Sequence, residues 1–212
     1  DMDTTVKGLP MDEQSIRKAI REILAQPVDD GIEFRLLDLT PIREDDEYEN
    51  FRASIQATYG KMKISMKIDI TTGDKITPKE VQFSYPFLFD DRQVLVKAYT
   101  QETILAEKYE TIIRRNIGNT RARDFYDLHL LYRLYQENAD WDLLKQAVLS
   151  TAKKRDSLSV LQDTARILPA LRESTVLQGL WKRYQTQNLY AREITYPAIM
   201  ETITEFTERM NF

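Results

Sequence analysis

Cysteine is absent from the 212 residues, and histidine occurs once, at His129. Without thiols there are no disulfides and no thiolate metal sites, and the chain reads as cytoplasmic. One imidazole is too few for a histidine-rich zinc site and argues against a Ser-His-Asp triad. Chemistry with a hard metal held by carboxylates stays open. No apolar run approaches the roughly 18 residues of a membrane span, and no signal-peptide pattern is present, so a soluble protein is expected. A basic excess is missing too. The net charge is −4, with 14 Lys+Arg against 19 Asp+Glu in residues 1–99 and 16 against 15 in residues 100–212. A strongly basic nucleic-acid binder does not look like this. The local clusters "KMKISMK", "IIRRN" and "AKKR" are read first as solvated faces, with phosphate contact as the alternative.

What is present is a foldable chain, 42% hydrophobic and 10% aromatic, which argues against disorder. "MDEQSIRKAIREILAQ" predicts an amphipathic helix with Ile16, Ile20, Ile23 and Leu24 on one face and Asp12 as its N-cap. Period-2 patterns predict strands at "IEFRLLDLTPI", "FRASIQATY", "KMKISMKIDI", "VQFSYPFLF" and "VLVKAY". From Gln101 the period becomes helical, with helices expected near 102–116, 120–137, 140–154, 159–187 and 195–211, the fourth broken or kinked at Pro169 and Gly179. No repeat, low-complexity tract or long linker is found. The expected architecture is α+β, a mixed sheet lobe over 1–99 followed by a helical lobe over 100–212.

Three features look chemical. In "NTRARDFYDL", Asp124 falls inside the apolar stripe of Leu128, Leu131, Tyr132 and Tyr135, and Asp127 at its edge. A carboxylate there needs hydrogen bonds, a cation or a metal. The plain alternative is a first-turn Asp favoured by the helix dipole, or one tied to Arg121 or Arg123. In "ETILAEKYETIIRRN", Lys108 lies between Ile104 and Ile112 on the apolar face, whereas Glu107, Glu110 and Arg114 face away. Such a lysine either snorkels out or enters a cleft to meet phosphate or carboxylate, Asp124 among the candidates. On the apolar-stripe reading, Lys108→Met is neutral or stabilising. Finally, Asp69 ends the polar face of "KMKISMKIDI", where a lone Asp is ordinarily solvated, and Asp1 and Asp3 of the opening "DMD" would share a strand face roughly 7 Å apart. Two such carboxylates and a third on a neighbouring strand can hold divalent ions for phosphoryl transfer.

"DMDTTVKGLP", "IDITTGDKITP", "YTQETILAEKYETIIRRNIGNTRARDFYDLHLLY" and "YPAIMETITEFTERM" together resemble the AbiEii/AbiGii toxin family of nucleotidyltransferases, whose fold is related to DNA polymerase β. The resemblance spans nearly the whole chain, and "ETILAEK" with "NTRARDFYD" is its most specific part. It implies Asp1 and Asp3 as metal-binding carboxylates and Asp69 as a third. It also implies Lys108 as a nucleotide-phosphate contact with Arg123 beside it, and Asp124 as the essential acid, chosen over Asp127 for its deeper position. These side chains would face a cleft shared by the two lobes. The family's Gly-Ser or Gly-Gly segment ahead of the D-x-D is not in the chain, so its N-terminal start is expected upstream. The implied activity is that of a magnesium- or manganese-dependent nucleotidyltransferase, the toxin of a bacterial toxin–antitoxin or abortive-infection pair. It would take NMP from an NTP to an RNA acceptor such as tRNA, with a cognate antitoxin and no membrane among its partners. The alternative is a non-catalytic nucleotide- or protein-binding domain that keeps the fold.

Overall fold

A computed structural model describes residues 2–42, 50–73, 75–88 and 91–211. The chain divides into two compact units, Asp1–Asp74 and Lys75–Phe212. This places the fifth and sixth strands with the helices, where the expected boundary at residue 99 had put them with the sheet.

The first unit is a four-stranded mixed sheet in the order β1-β4-β3-β2. β1 (Met2–Val6) lies parallel to β4 (Met62–Thr72), and β3 (Asn50–Tyr59) runs antiparallel to both β4 and β2 (Glu33–Ile42). A two-residue turn joins β3 to β4, and Gly60 takes φ +57° there, which a residue without Cβ adopts at no steric cost. The helix α1 (Glu13–Leu24) begins where Asp12 accepts the Ser15 backbone N–H at 2.8 Å, the expected N-cap. Its Ile16 and Ile20 join Leu39, Phe51, Ala53, Ile55 and Ile70 in a core. Ile23, expected on that face, is exposed. Likewise only the far half of the β4 apolar stripe is covered, since Ile70 is buried whereas Met62 and Ile64 are exposed. Length explains this: a 12-residue helix spans about 18 Å, and an 11-residue strand about twice that.

The second unit holds a two-stranded antiparallel hairpin, β5 (Val81–Pro86) and β6 (Gln93–Ala98), and a helical assembly around α2 (Gln101–Arg115). α3 (Ala122–Tyr135) and α4 (Trp141–Lys154) pack on α2, and α8 (Tyr196–Met210) packs on α3 and α4. Tyr109, Ile112, Leu128, Leu144 and Phe206 are each fully buried at the centre. α2 is enclosed on more sides than its apolar stripe predicts. Glu110, expected to face away, has no exposed surface; it pairs with Arg155 at 2.6 Å and Arg114 at 2.8 Å and accepts the Ser157 hydroxyl at 2.7 Å.

The long fourth helix is three pieces: α5 (Leu158–Leu161), α6 (Thr164–Glu173) and α7 (Thr175–Gln187). The two breaks are at neither Pro169 nor Gly179, which lie inside α6 and α7. One falls at Gln162 and Asp163, and the other at Ser174, whose hydroxyl accepts the Leu177 N–H at 3.3 Å and restarts the helix. Pro169 removes one N–H from α6 without ending it. No helix among the described residues is long and apolar enough to cross a membrane.

Candidate active site

Strand pairing brings two of the expected carboxylates side by side in the first unit. Asp3 of β1 stands in register with Asp69 of β4, which stands in register with Arg52 of β3. Partners in register on neighbouring strands point to the same face, with backbones about 4.8 Å apart. Asp3 is exposed and Asp69 is mostly covered. The Arg52 guanidinium takes both Asp69 oxygens, Nε donating to Oδ1 and Nη2 to Oδ2, each at 2.6 Å. This bidentate geometry is the strong form of the charge-assisted hydrogen bond. The Thr4 hydroxyl donates to the Asp69 carbonyl at 3.1 Å and so ties β1 to β4 beside it. Asp1 lies outside the described residues. Among the described residues no group of three His, Cys, Asp or Glu side chains could hold a metal ion. Asp3 and Asp69 are nonetheless hard oxygen donors on one face, the donor type that magnesium or manganese takes. They fit such an ion provided Arg52 yields Asp69.

In the second unit two helix starts place the remaining residues. α2 begins at Thr100, whose hydroxyl accepts the Thr103 N–H at 3.2 Å and donates to the Thr77 carbonyl at 2.8 Å. α3 begins after a turn in which buried Asn119 accepts the Arg121 N–H at 2.8 Å through its side chain, the Asx geometry that favours a chain reversal. Asp124 thereby occupies the first turn of α3, where the helix dipole favours an anion.

The two helices then meet through Lys108. Its ammonium donates to Asp124 Oδ1 at 2.8 Å and lies 2.9 Å from Asp127 Oδ2. Asp124 keeps only 6% of its side-chain surface, against 23% for Asp127, so the deeper carboxylate is the one expected from the helical wheel. Burial works against the charged form of Lys108, but the Asp124 charge and the hydrogen bonds to Asp124 and Asp127 outweigh it and hold its pKa above the ordinary lysine value. Lys108 is therefore a fixed cation at neutral pH and no proton acceptor. It is no lone cation in an apolar stripe either, and its replacement by methionine strands a buried charge. Arg123 pairs with Asp127 at 3.7 Å and is 70% exposed, while Arg121 Nε is 3.5 Å from Asp124 Oδ2. That oxygen is buried and makes no hydrogen bond among the described residues. An ammonium has three donors, so beyond its two carboxylates Lys108 can still reach one further acceptor.

The sequence profile described as nucleotidyl transferase AbiEii toxin, type IV toxin–antitoxin system, matches residues 1–205. The chain belongs to the AbiEii family. It is therefore a nucleotidyltransferase of the toxin–antitoxin class. No curated protein sequence matches the chain. Among solved structures it is similar to JHP933 of Helicobacter pylori, at 16% identity and TM-score 0.46 over 99% of this chain and 72% of the other. A second solved structure, described as a nucleotidyltransferase from H. pylori, gives 15% identity and TM-score 0.46 over 99% and 75%.

Of the residues expected from sequence in this AbiEii chain, Lys108 in the middle of α2 meets Asp124 and Asp127 near the start of α3, where Arg123 pairs with Asp127. Asp3 and Asp69 gather on one strand face of the other unit. Arg52 was missed. Its signal is the alternation of Arg52, Ser54 and Gln56 against Phe51, Ala53 and Ile55, which marks a polar strand face. Its pairing with Asp69 depends on a register that alternation does not supply.

Proposed function

We propose that the chain transfers a nucleoside monophosphate from an NTP to a hydroxyl of an RNA acceptor such as tRNA, in a magnesium-dependent reaction. The observation that carries this reading is Lys108, a permanently charged ammonium held between Asp124 and Asp127 with a donor to spare. In the reaction an acceptor oxygen bonds to the α-phosphorus, the bond from that phosphorus to the β-bridging oxygen breaks, and pyrophosphate leaves. Lys108 neutralises the charge growing on the phosphate oxygens, and its two carboxylates hold it in place at little cost in reorganisation. Arg123, 70% exposed, adds a second cation beside it. Asp124 Oδ2, buried and 3.5 Å from Arg121, takes no hydrogen bond among the described residues, and it would accept one from a nucleotide hydroxyl once Arg121 moves aside. Asp3 and Asp69 would hold the divalent ion, which when bound supplies Lewis-acid activation of the acceptor hydroxyl and charge neutralisation.

Incubating full-length protein with each α-labelled NTP, magnesium and total RNA tests the reading. Label should pass to RNA for at least one NTP, and the transfer should stop in EDTA and in Asp69→Asn. A second reading draws on Arg52, which occupies both oxygens of Asp69. A domain in which that pair never opens would bind nucleotide or a protein partner without transferring anything. Saturable NTP binding with no labelled RNA, protein or small molecule would favour it.

A further inference from the structure

Beside the Lys108 cluster, and within the same unit, is an aromatic group that the reaction described above does not use. Tyr126 stands on α3 between Asp124 and Asp127, and its ring packs against Tyr190 at 4.9 Å and Tyr184 at 6.1 Å between centroids. Behind them Tyr184 stacks on Trp181 at 5.5 Å and an interplanar angle of 26°. Trp181 is buried and donates its indole N–H to the Ile194 carbonyl at 2.9 Å. The group is thus anchored at its inner end. At its outer end Tyr190 remains 60% exposed on the short turn Leu189–Ala191.

The hydrogen bonding of Tyr190 is informative. Its phenol oxygen lies 3.0 Å from that of Tyr184, and its O–H reaches Asn188 Oδ1 at 2.9 Å. The polar tip is therefore held by the protein, while the residue as a whole stays 60% exposed. A tyrosine kept for stability buries its ring as well, as Tyr109 does with its hydroxyl 2.9 Å from Thr207 Oγ1. Charge adjoins the ring cluster as well: burial chiefly, then the bond with Tyr190 and the Asp127 charge, push the Tyr184 phenol up, and Arg123 opposes them. Arg123, Tyr126 and Asp127 are three and four residues apart, neighbours on one face of α3.

We propose that Tyr190, backed by Tyr126 and Tyr184, is a stacking platform for a nucleobase whose phosphate is held by Lys108 and Arg123. This rests on the nucleotidyltransfer reading above and adds where a base is gripped. A flat, pre-anchored aromatic ring beside a cation suits any of the four bases, because each offers a π face. The base belongs either to the incoming nucleotide or to the acceptor strand.

The test uses full-length protein with magnesium. ATP, GTP, CTP, UTP and inorganic tripolyphosphate are titrated calorimetrically, and a short fluorescein-labelled single-stranded RNA is followed by anisotropy. Tyr190→Ala should weaken the preferred NTP, or the RNA, by about five- to a hundredfold while leaving tripolyphosphate within about twofold. Tyr190→Phe keeps the ring and should bind within about threefold of wild type. A weakened NTP assigns the base to the nucleotide, and weakened RNA with unchanged NTP assigns it to the acceptor. If Tyr190→Ala leaves both unchanged, or weakens tripolyphosphate equally, the platform is refuted. Lys108→Ala separates the two ideas. It should weaken tripolyphosphate and NTP alike, and failure to do so refutes the phosphate role of Lys108 while leaving the Tyr190 result to stand by itself.

Discussion

Replacing Lys108 with methionine keeps most of the apolar stem of the side chain and removes the ammonium, with its charge and its three donors. Asp124 then loses its 2.8 Å partner while retaining 6% of its side-chain surface, and among the described residues Arg121 remains its cation, at 3.5 Å. Breaking a buried pair on one side costs about 3–5 kcal/mol. Arg121 offsets part of that, and Asp127, with 23% of its surface in water, recovers hydration. The expected loss is therefore about 2–3 kcal/mol. In a chain of this size each kcal/mol shifts the melting point by about 2–4 °C, so Lys108→Met should melt about 4–12 °C below wild type. Asp124→Asn alone should cost less, about 1 kcal/mol, because Lys108 keeps Asp127. The double variant Lys108→Met/Asp124→Asn should recover roughly half of the loss in Lys108→Met, since no charge is left stranded. Differential scanning calorimetry of the four proteins closes the cycle. A melt of Lys108→Met within about 1 °C of wild type, or a double variant no better than the single, would refute the claim that Asp124 depends on Lys108.

Arg52→Gln should free Asp69 and strengthen manganese binding by about two- to tenfold in calorimetric titration, with stability falling by no more than about 1 kcal/mol because the pair is partly exposed. Unchanged manganese affinity would mean that Arg52 does not compete with the ion. Glu110→Gln should cost about 2–4 kcal/mol in a urea melt, since it leaves Arg155 and Arg114 without their buried partner. Burial chiefly, with the Arg133 charge and against that of Glu205, holds His129 below its ordinary pKa of 6.5. Its folded pKa is thus depressed, so its contribution to stability is complete above about 6.5, declines as pH falls below it, and levels off beneath the folded value. Urea melts at pH 7.5 and 5.5 should show a smaller acid loss for His129→Asn than for wild type.

Periodicity found the elements because burial is local in its demands: α1, the three long strands β2 to β4 and α2 to α4 end within a residue or two of their expected limits. It misplaced the breaks in the fourth helix because Pro and Gly were weighed as breakers, while the decisive residue at the second was a capping serine, Ser174. The candidate site divides in the same way. Asp124 was legible because one helical wheel contains both the carboxylate and the stripe that buries it. Lys108 was legible as an anomaly, and its partner was named among the candidates, because both residues violate the pattern of their own helix.

What could not be read is the pairing set by strand register or by a second buried side of a helix. Arg52 and Asp69 lie 17 residues apart and meet through the strand register, and Glu110 meets Arg155 across 45 residues. Glu110 illustrates the limit most sharply. A helical wheel sorts residues by side, yet it cannot count how many sides a helix buries, and α2 is packed by both α3 and α4. A glutamate on the second buried side must be neutralised there, which Arg155, Arg114 and Ser157 accomplish. Two charged groups thus sit on different sides of α2 with opposite degrees of closure. The Glu110 network has no exposed carboxylate surface and its partners are satisfied, whereas Lys108 keeps 26% of its side-chain surface and a spare donor, and its partner Asp124 keeps an unbonded oxygen. A closed network holds the fold, and an open one leaves binding capacity unused. That difference, rather than the presence of buried charge as such, is why the Lys108 side of α2 is the side proposed to bind a nucleotide.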